Sequence, residues 1–472
     1  MTLHLHNTLT GRKEEFRPLE PGVARLYTCG PTVWNYAHVG NYRAFLVYDL
    51  LRRHLQVAGY RVEHVTNITD VDDRIIRQAA AAGERISEYT RPYEDAFLED
   101  LGTLRGQPAE LYPRATGHIE EMIALIERLM EGGHAYEVDG DVYFRIASFP
   151  PYGALSHLDR AGLRPGARVA TDKYEKESAT DFALWKRAKP EDEEVGAAWE
   201  APFGRGRPGW HIECSAMAMK YLGETMDIHA GGVDLLFPHH ENEIAQSEAA
   251  TGRQFARYWV HSEHITDATG AKMSKSDGNF ATLRDLDAAG HGRLAVRLFL
   301  LGNAHYRTAL RLTEEGLQGA AAQLSRLRDF ADRVRRTEPG LRADDAVLFQ
   351  SVQDARDAYR AALDDDLNLP EGLGIVFELV REANAALDAG RVGPAAREAL
   401  QGLLEDVDAH LDVLREDEVT LDAAVEGLIA EREEARRSRD FATADRIRDE
   451  LRERGIVLED SRDGVRWKVA RR

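Results

Sequence analysis

Length, composition and charge exclude several classes of protein before any motif is considered. The chain has 472 residues and a net charge of -20, so its surface is not basic throughout, although a local basic path for nucleic acid is compatible with that total. Only two cysteines are present, which excludes a disulfide framework and indicates a reducing compartment. Residues 1–7 lack an apolar signal core, and no apolar run reaches membrane-spanning length. We therefore expect a cytoplasmic protein without membrane segments.

The first stretch has the pattern of a β-α-β unit, the seed of a parallel sheet. Residues 23–28 are β-prone, and residues 60–66 form a second strand candidate after the turn at Gly59. Between them, apolar side chains recur at helical spacing, at Ala44, Val47, Tyr48, Leu51 and Leu55. Strand-like pieces return at residues 226–229 and 258–261. This pattern predicts one sheet domain over residues 1–310, with a connective insertion at about residues 90–205.

The remaining chain predicts two smaller domains. Residues 311–414 are almost wholly helical in pattern, which indicates a helical bundle. After an acidic joint, residues 421–472 combine a helix with two strand candidates around the turn signal Asp463-Gly464. The predicted fold class is α/β, with a Rossmann-like parallel-sheet catalytic domain carrying an insertion, followed by an α-helical bundle and a small α+β C-terminal domain.

A short motif, His38-Val39-Gly40-Asn41, opens the helix of the β-α-β unit. A helix N-terminus offers unpaired N–H groups and a partial positive charge, which makes it a natural seat for phosphate. His38 can donate a hydrogen bond to phosphate oxygens, and Gly40 would let a flat adenine ring approach the backbone. Because four residues also match by chance, this motif alone does not define a nucleotide site.

A second motif is the polar loop of residues 270–279, which carries Lys272 and Lys275. Such a loop could close on a triphosphate and stabilise charge that develops in the transition state. A solvated charged turn is the ordinary alternative, but it does not explain the two motifs together. The pair resembles the double signature of class I aminoacyl-tRNA synthetases, His-x-Gly-His and Lys-Met-Ser-Lys-Ser. Asn41 replaces the second histidine, so this position keeps a hydrogen-bond donor but cannot carry positive charge.

Both cysteines lie in motifs that suggest a metal site. Cys29 precedes the His38 motif, and Cys214 precedes a segment in which His239 and Glu243 are four residues apart. That spacing would project His239 and Glu243 from one helical face. Two sulfurs, one nitrogen and one oxygen suit zinc. Spacing alone leaves an alternative open, in which the cysteines are small buried apolar residues, His239 caps a helix and Glu243 lies in solvent.

Motifs along nearly the whole chain resemble the cysteinyl-tRNA synthetase family. The matching strings are residues 7–10, 28–33, 67–73, 181–186, 207–215, 229–235 and 238–243. The resemblance implies ATP-dependent ligation of L-cysteine to the 3′ end of tRNA(Cys) through a cysteinyl-adenylate. It also implies one zinc ion per chain, which recognises the cysteine thiolate and is bound by Cys29, Cys214, His239 and Glu243.

The same resemblance implies roles for further residues, and a monomeric state. The substrate pocket would be lined by Gly30, Thr69, Trp210 and His229. ATP, accompanied by Mg2+, would be bound by His38, Gly40, Asn41, Gly231, Asp234 and Lys275. Catalysis would depend on His38, Asn41, Lys272 and Lys275. The anticodon region of the tRNA would be contacted by Arg432, Arg436, Phe441 and Asp445.

Two other functions fit part of this pattern. A related ligase joins cysteine to the amine of an amino-sugar inositol, using a similar core but no anticodon-reading tail, so residues 421–472 favour the synthetase. A catalytically silent relative that binds nucleic acid is favoured by Asn41 alone, while Lys272, Lys275 and the four potential metal ligands argue against it. For the arginines of the tail, an ordinary solvated helix face is the alternative interpretation.

Overall fold

The structure is a computed structural model that includes side chains. It describes residues 2–157, 181–271, 273, 280–337, 345–415, 423–438, 440–453, 456–461 and 464–469. Across these ranges, every helix is too short or too polar to span a lipid bilayer.

The chain begins with a hairpin and the predicted β-α-β unit. The elements in order are β1 (His4–Asn7), β2 (Arg12–Glu15), β3 (Val23–Thr28), α1 (Val39–Val57) and β4 (Arg61–Thr66). β3 and β4 are parallel, with Leu26 opposite His64. α1 buries Tyr42, Leu46 and Leu50, which are spaced four apart and therefore share one helical face. The predicted β-α-β unit is thus confirmed.

Several helices and an antiparallel sheet follow β4. They are α2 (Asp73–Ala82), α3 (Ile86–Thr103), α4 (Ile119–Glu131), β5 (Ala135–Val138), β6 (Asp141–Phe144), β7 (Phe182–Arg187), α5 (Pro190–Glu194) and β8 (Gly206–Pro208). The four strands pair antiparallel in the order β5-β6-β7-β8. Because β8 ends at Pro208, the chain passes from this sheet almost directly into the segment that carries Cys214.

The parallel sheet is completed after this insertion. The elements are α6 (Trp210–Leu222), β9 (Met226–Gly232), α7 (Glu241–Thr251), β10 (Ala256–Ser262), β11 (Ile265–Thr266), α8 (Leu283–Ala288), α9 (Arg293–Gly302) and β12 (Leu310–Arg311). The strand order is β10-β9-β3-β4, with all neighbours parallel. From β3 the chain continues outward to β4, and from β9 it continues outward to β10 on the other side. The strand order therefore reverses between β3 and β9, and open parallel sheets bind ligands at such a switch point.

Helices dominate the rest of the chain. The elements are α10 (Glu314–Arg336), α11 (Asp345–Asp364), α12 (Leu369–Asp388), α13 (Pro394–Leu411), α14 (Ala423–Arg437), α15 (Phe441–Glu453), β13 (Ile456–Ser461) and β14 (Gly464–Val469). β13 and β14 form an antiparallel hairpin in which Ser461 lies opposite Gly464. The predicted fold class, from the interrupted parallel sheet to the helical bundle and the small α+β unit, is confirmed.

Two apolar cores lie on opposite faces of the parallel sheet. Leu26 belongs to one core and Tyr27 to the other, because successive side chains of a strand point to opposite faces. The first core continues through α1 and α9 into the helices α10 to α13. The second core lies under α2, α4, α6 and the antiparallel sheet. Helices on both faces leave the carboxyl ends of β3 and β9 as the place where polar side chains converge.

Candidate active site

Four potential metal ligands meet beyond the carboxyl end of β3. Cys29 directly follows β3, Cys214 lies on α6, and Glu243 lies in the first turn of α7. His239 belongs to a wide helical turn that precedes α7, and the regular helix begins at Glu241. All four side chains are buried. These four residues are called the metal cluster below.

The distances within the metal cluster match a tetrahedral metal site. The Sγ atom of Cys29 is 3.8 Å from Sγ of Cys214 and 3.7 Å from Oε1 of Glu243. Oε1 of Glu243 is 3.1 Å from Nε2 of His239. Two Zn–S bonds of about 2.3 Å at a tetrahedral angle place the sulfurs ~3.8 Å apart, whereas a disulfide requires about 2.05 Å. The donor set and its spacing therefore fit a zinc ion.

The charges in the metal cluster favour a cation. Burial raises the pKa of Cys29 well above its ordinary value, while a hydrogen bond from Cys29 lowers the pKa of Cys214 to about 6. Burial opposes the charged forms of Glu243 and His239. Attraction from His229 and His239 nevertheless lowers the pKa of Glu243 to about 2, and Glu243 and Cys214 raise the pKa of His239 to about 10. Near neutral pH, two negative groups thus face one protonated imidazole, whose proton a bound metal would replace.

Two further histidines hold the ligands in position. Nε2 of His229 lies 2.9 Å from Oε2 of Glu243, and Nδ1 of His211 lies 2.9 Å from Nδ1 of His239. Hydrogen-bond partners of this kind orient metal ligands and tune their basicity. The resemblance implies a substrate role for His229, and the structure adds this contact with a ligand. His211 has no sequence signal beyond its place next to Trp210 in the Cys214 motif.

A second ligand set overlaps the first. Nε2 of His240 lies 3.3 Å from Sγ of Cys29. Cys29, His229, His240 and Glu243 could also hold a metal ion, since their donor atoms all lie within 4.8 Å of one another. That set leaves Cys214 unused and supplies one sulfur instead of two. The sequence places His240 directly beside His239, and adjacency does not tell which of two neighbouring side chains points inward.

The predicted pocket residue Trp210 contacts the metal cluster. Its ring stacks on the imidazole of His239, with centroids 4.2 Å apart and an interplanar angle of 29°. Trp210 is the first residue of α6, one turn before Cys214 on the same helix. A flat apolar wall therefore adjoins one ligand of the metal cluster, as a pocket for a small thiol-bearing substrate would need.

Asn67, which is not among the predicted site residues, connects two that are, Gly30 and Thr69. Oδ1 of Asn67 accepts a hydrogen bond from the backbone N–H of Gly30 at 2.9 Å, and Nδ2 donates to Oγ1 of Thr69 at 3.1 Å. A Cβ atom at Gly30 would lie 1.5 Å from the carbonyl oxygen of Asn67, so only glycine permits this approach. Asn67 is buried and belongs to a matching string, yet no local pattern distinguishes it from its neighbours.

The His38 motif forms a capping box at the start of α1. Nδ1 of His38 accepts from the backbone N–H of Asn41 at 3.2 Å, and Oδ1 of Asn41 accepts from the backbone N–H of His38 at 3.1 Å. With Nδ1 as an acceptor, a neutral His38 carries its proton on Nε2 and can donate it in a hydrogen bond to phosphate. A Cβ atom at Gly40 would lie 2.9 Å from the His38 ring, so glycine makes room for that ring.

Gly231 and Asp234 lie at the carboxyl end of β9, the neighbour of β3. A Cβ atom at Gly231 would lie 2.3 Å from Cε1 of His240, which explains why glycine occupies this position. Asp234 is exposed and lies in a short 3₁₀ turn, Val233–Leu235. The structure therefore brings these two predicted ATP-binding residues to the same sheet edge as the metal cluster.

Lys272 and Lys275 lie outside the described residues. The segments around them are anchored, because Met273 is buried in the first core and Thr282 forms an antiparallel backbone bridge with His38. Thr282, which follows this loop, therefore lies beside the start of α1.

The four residues expected to contact tRNA lie on α14 and α15. Phe441 is 62 % exposed, whereas Arg432 is only 4 % exposed. Arg436 and Asp445 are exposed, and Asp445 forms an ion pair with Arg448 at 3.2 Å. Three of the four side chains can therefore be reached from solvent, and Arg432 is packed within the small C-terminal unit.

Family models match three successive parts of the chain. Residues 15–322 match the tRNA synthetases class I (C) catalytic domain, and residues 358–415 match the DALR domain. Residues 418–467 match the cysteinyl-tRNA ligase anticodon binding domain. The last match covers the stretch that separates a synthetase from the amino-sugar ligase.

Curated relatives named cysteine–tRNA ligase are similar over their full length. The relative from Solibacter usitatus is 49% identical over 99% of this chain and 100% of its own. The relative from Koribacter versatilis is 47% identical with the same coverage, and that from Symbiobacterium thermophilum is 48% identical over 100% of both chains. Among solved structures, a Mycobacterium tuberculosis methionyl-tRNA synthetase with methionyl-adenylate has a TM-score of 0.59 at 17% identity, covering 83% of this chain and 89% of its own. That likeness concerns the fold.

The switch-point sheet, the paired motifs and the catalytic-domain match define a class I aminoacyl-tRNA synthetase. Sequence identities of 47% and 49% over 99% of this chain narrow that class to the synthetases named for cysteine. The chain belongs to the cysteinyl-tRNA synthetase family, which confirms the resemblance recognised in its motifs.

Proposed function

We propose that this protein attaches L-cysteine to the 3′ end of tRNA(Cys) in two steps. The cysteine carboxylate attacks the α-phosphorus of ATP, giving cysteinyl-adenylate and pyrophosphate. The terminal ribose hydroxyl of the tRNA then attacks the adenylate carbonyl and releases AMP. The observation that carries this proposal is the buried metal cluster, which lies at the same sheet edge as the His38 motif.

The metal cluster would hold one zinc ion. Bound there, zinc supplies a soft acceptor for the substrate thiolate, whereas a serine hydroxyl stays protonated near neutral pH and binds weakly. Such selection is needed because an apolar pocket separates near-isosteres by only about 1–3 kcal/mol. Trp210 and His229 border the cluster, and Asn67 fixes Gly30 and Thr69, so these residues would shape and orient the cysteine pocket.

ATP would bind at the start of α1. His38 donates its Nε2–H to a phosphate oxygen, and the capping box with Asn41 holds the ring in the required tautomer. Lys272 and Lys275 would stabilise the charge that develops on the departing pyrophosphate, with Mg2+ accompanying ATP. The adenosine would be bordered by Gly40, Gly231 and Asp234.

The tRNA would contact several domains of the protein, and we propose the domain boundaries that the sequence predicts. The catalytic domain would comprise residues 1–310, with the connective insertion at about 90–205, followed by the bundle at 311–414 and the anticodon-binding domain at 421–472. Phe441 is suited to stack on a base, Arg436 can reach phosphate or base edges, and Asp445 can accept a hydrogen bond from a base edge. The same set of contacts includes Arg432, whose burial suits a supporting role. We propose that the enzyme acts as a cytoplasmic monomer.

Cysteine-dependent ATP–pyrophosphate exchange tests the first step on the zinc-loaded protein. Exchange is expected with cysteine and not with serine. Transfer of labelled cysteine to tRNA(Cys) or to an amino-sugar inositol then identifies the acceptor, and we expect only the tRNA to be acylated. Absence of exchange in a zinc-loaded sample would overturn the proposed enzyme, and transfer to the amino sugar alone would replace the acceptor.

A further inference from the structure

Four aromatic residues lie together beside the His38 motif. The rings of Tyr36 and Tyr93 are in edge-to-face contact, with centroids 5.4 Å apart at 84°. Tyr89 lies 5.4 Å from Tyr93, and its hydroxyl donates to the carbonyl oxygen of Trp34 at 2.9 Å. These four residues, the aromatic cluster, join the loop before His38 to helix α3. The mechanism described above uses none of them.

Two arginines extend the aromatic cluster. The guanidinium of Arg284 lies 5.2 Å from the ring centroid of Tyr36, and that of Arg74 lies 5.7 Å from the ring of Trp34. Arg284 forms an ion pair with Glu99 at 3.0 Å, in which the side chains are 44% and 69% exposed. Exposed pairs contribute little to stability, so Arg284 can exchange Glu99 for a phosphate at small cost while its Nε stays 3.5 Å from Oδ2 of the buried Asp100.

Exposure distinguishes Tyr36 from an ordinary packing residue. It is 41 % exposed, while the other three rings are partly buried and that of Tyr93 packs directly against it. A single exposed aromatic ring is ordinary, so the feature that sets Tyr36 apart is its contact with an arginine, at a position two residues before His38. Proteins commonly bind single-stranded RNA through tyrosine and arginine side chains, because every base can stack on an aromatic ring or a guanidinium plane.

The position of the aromatic cluster matches the second step of the reaction. Tyr36 lies two residues before His38, and Arg284 lies two residues after Thr282, whose backbone is bridged to His38. The cluster is therefore attached to both segments that handle ATP. The transfer step requires the unpaired 3′ end of the tRNA to reach the adenylate formed at those segments.

We propose that the aromatic cluster binds the unpaired 3′ end of the tRNA, with a base stacked on Tyr36 and a phosphate paired with Arg284. This proposal rests on the proposed function and adds the surface that guides the acceptor. Loss of this surface should affect only the second reaction step, because formation of the adenylate needs no contact with it, whereas transfer to tRNA does.

A binding cycle tests the proposal with the full-length protein. Dissociation constants are measured for the unmodified protein and for Tyr36→Ala, each with tRNA(Cys) that is intact or trimmed of its unpaired 3′ nucleotides. Trimming should weaken binding to the unmodified protein about 5- to 150-fold, the range expected for loss of base stacking. Trimming should weaken binding to Tyr36→Ala much less, since the stacking partner is already gone and only the contact with Arg284 remains to be lost.

Kinetics on the same variants distinguish this surface from the catalytic machinery. Tyr36→Ala should retain ATP–pyrophosphate exchange while its kcat/KM for tRNA falls by a similar factor, and Tyr36→Phe should behave as the unmodified protein. Tyr221→Ala is the matched control, because Tyr221 is also exposed and lies under a cation, Lys220, at 5.6 Å; it should change neither quantity.

Two results would overturn the role of the aromatic cluster. One is equal sensitivity of Tyr36→Ala and the unmodified protein to trimming, and the other is an equal loss of exchange and transfer in Tyr36→Ala. Absence of cysteine-dependent exchange in the unmodified protein would instead overturn the proposed function, so the two failures are distinguishable.

Discussion

Two groups of buried charged side chains in this protein differ in how their charge is balanced. In the metal cluster, ionisable donors converge on one point. In the second group, here the Asp49 cluster, Oδ2 of Asp49 accepts from Arg53 at 2.9 Å and from Arg297 at 2.6 Å. Arg297 also donates to the carbonyl oxygens of Leu104 at 2.9 Å and Leu411 at 2.5 Å.

This difference in charge balance distinguishes a cluster that stabilises the fold from a cluster that is suited to bind a ligand. In the Asp49 cluster, each charge meets an opposite charge or a carbonyl oxygen of the protein, and the contacts connect α1 and α9 to the end of α13. In the metal cluster, a thiolate and a carboxylate converge, and their partners are Cys29, His229 and His239, whose sulfur and nitrogen atoms are potential metal donors as well. Buried charge that is paired with arginine holds the fold together, whereas converging donors that are balanced by exchangeable protons are suited to bind a cation.

The largest effect should come from removing the charge of Asp49. Asp49→Asn keeps the shape but removes the counter-ion of the buried Arg297 and leaves Arg53 paired with the more distant Asp412, at 3.5 Å. We expect the free energy of unfolding to fall by about 3–5 kcal/mol, the usual cost of breaking a buried pair, while bound zinc stays stoichiometric. Denaturant titration and metal analysis measure the two quantities.

A matched exposed pair provides the control for Asp49→Asn. Asp365 pairs with Lys13 at 2.6 Å, but the side chains are 57% and 42% exposed. Asp365→Asn should therefore cost no more than about 1 kcal/mol. Similar losses for both variants, or loss of zinc from Asp49→Asn, would contradict the distinction between the two clusters.

Removal of one sulfur from the metal cluster should abolish activity with little change of fold. In Cys214→Ser the hydroxyl stays protonated and is a poor zinc ligand, so the metal should be lost. Cysteine-dependent ATP–pyrophosphate exchange should drop by more than about 100-fold, since loss of an outer partner alone typically costs 10–100-fold. Metal analysis, circular dichroism and exchange assays check this. If a zinc-free variant still discriminated cysteine from serine as sharply, zinc would not be the group that selects cysteine.

An intermediate effect is expected at His229, which contacts Glu243 from outside the ligand set. His229→Ala removes the partner of Oε2 and should weaken zinc affinity by about 10–100-fold. His229→Gln can still donate to that oxygen and should weaken it less. Competition with a chelator measures both affinities. If the two variants retained zinc equally well and only the KM for cysteine rose, His229 would be a pocket residue without a role in orienting Glu243.

Local patterns in the sequence predict the elements of the fold well. The β-prone run at residues 23–28 coincides with β3, and the apolar residues at helical spacing lie on α1. Both signals are local, because a buried strand and an amphipathic helix have their own periodicities. The metal ligands are different, since Cys29 and Cys214 are 185 residues apart. Spacing left the metal site undecided, and only the family resemblance brought the four ligands together.

The residues that the sequence does not reveal are those defined by distant partners. Asn67 is identified by its hydrogen bond to Gly30, 37 residues away, and Arg297 by its contact with Asp49, 248 residues away. Arg297 has the sequence pattern of a polar residue on an amphipathic helix, yet it is completely buried. Such roles arise from tertiary contacts, and no local periodicity encodes them.

The smallest expected effect is a pH dependence next to the Asp49 cluster. His410 on α13 is neutral because burial, with His54 nearby, lowers its pKa to about 4. Its Nδ1 lies 2.8 Å from the carbonyl oxygen of Asp406, and its Nε2 lies 3.1 Å from Nδ1 of His54, so the neutral ring is already paired at both nitrogens. The charged or titratable groups around the pair are Arg53, His54, Tyr359, Asp364 and Asp406.

A His410 whose folded pKa lies below its unfolded value stabilises the protein above about pH 6.5, and this contribution is lost as the pH falls toward 4. From pH 7 to pH 6, its share of the loss in unfolding free energy should be about 0.7 kcal/mol. His410→Gln keeps polar contacts but cannot titrate, so its stability should fall less over that interval by this amount. Denaturant titrations at the two pH values compare slopes rather than absolute stabilities, so any constant cost of the substitution cancels. If the stability of both proteins fell equally between pH 7 and pH 6, the proton taken up on unfolding in this interval would bind a group other than His410. The polar contacts beside the Asp49 cluster would then not depend on a neutral His410.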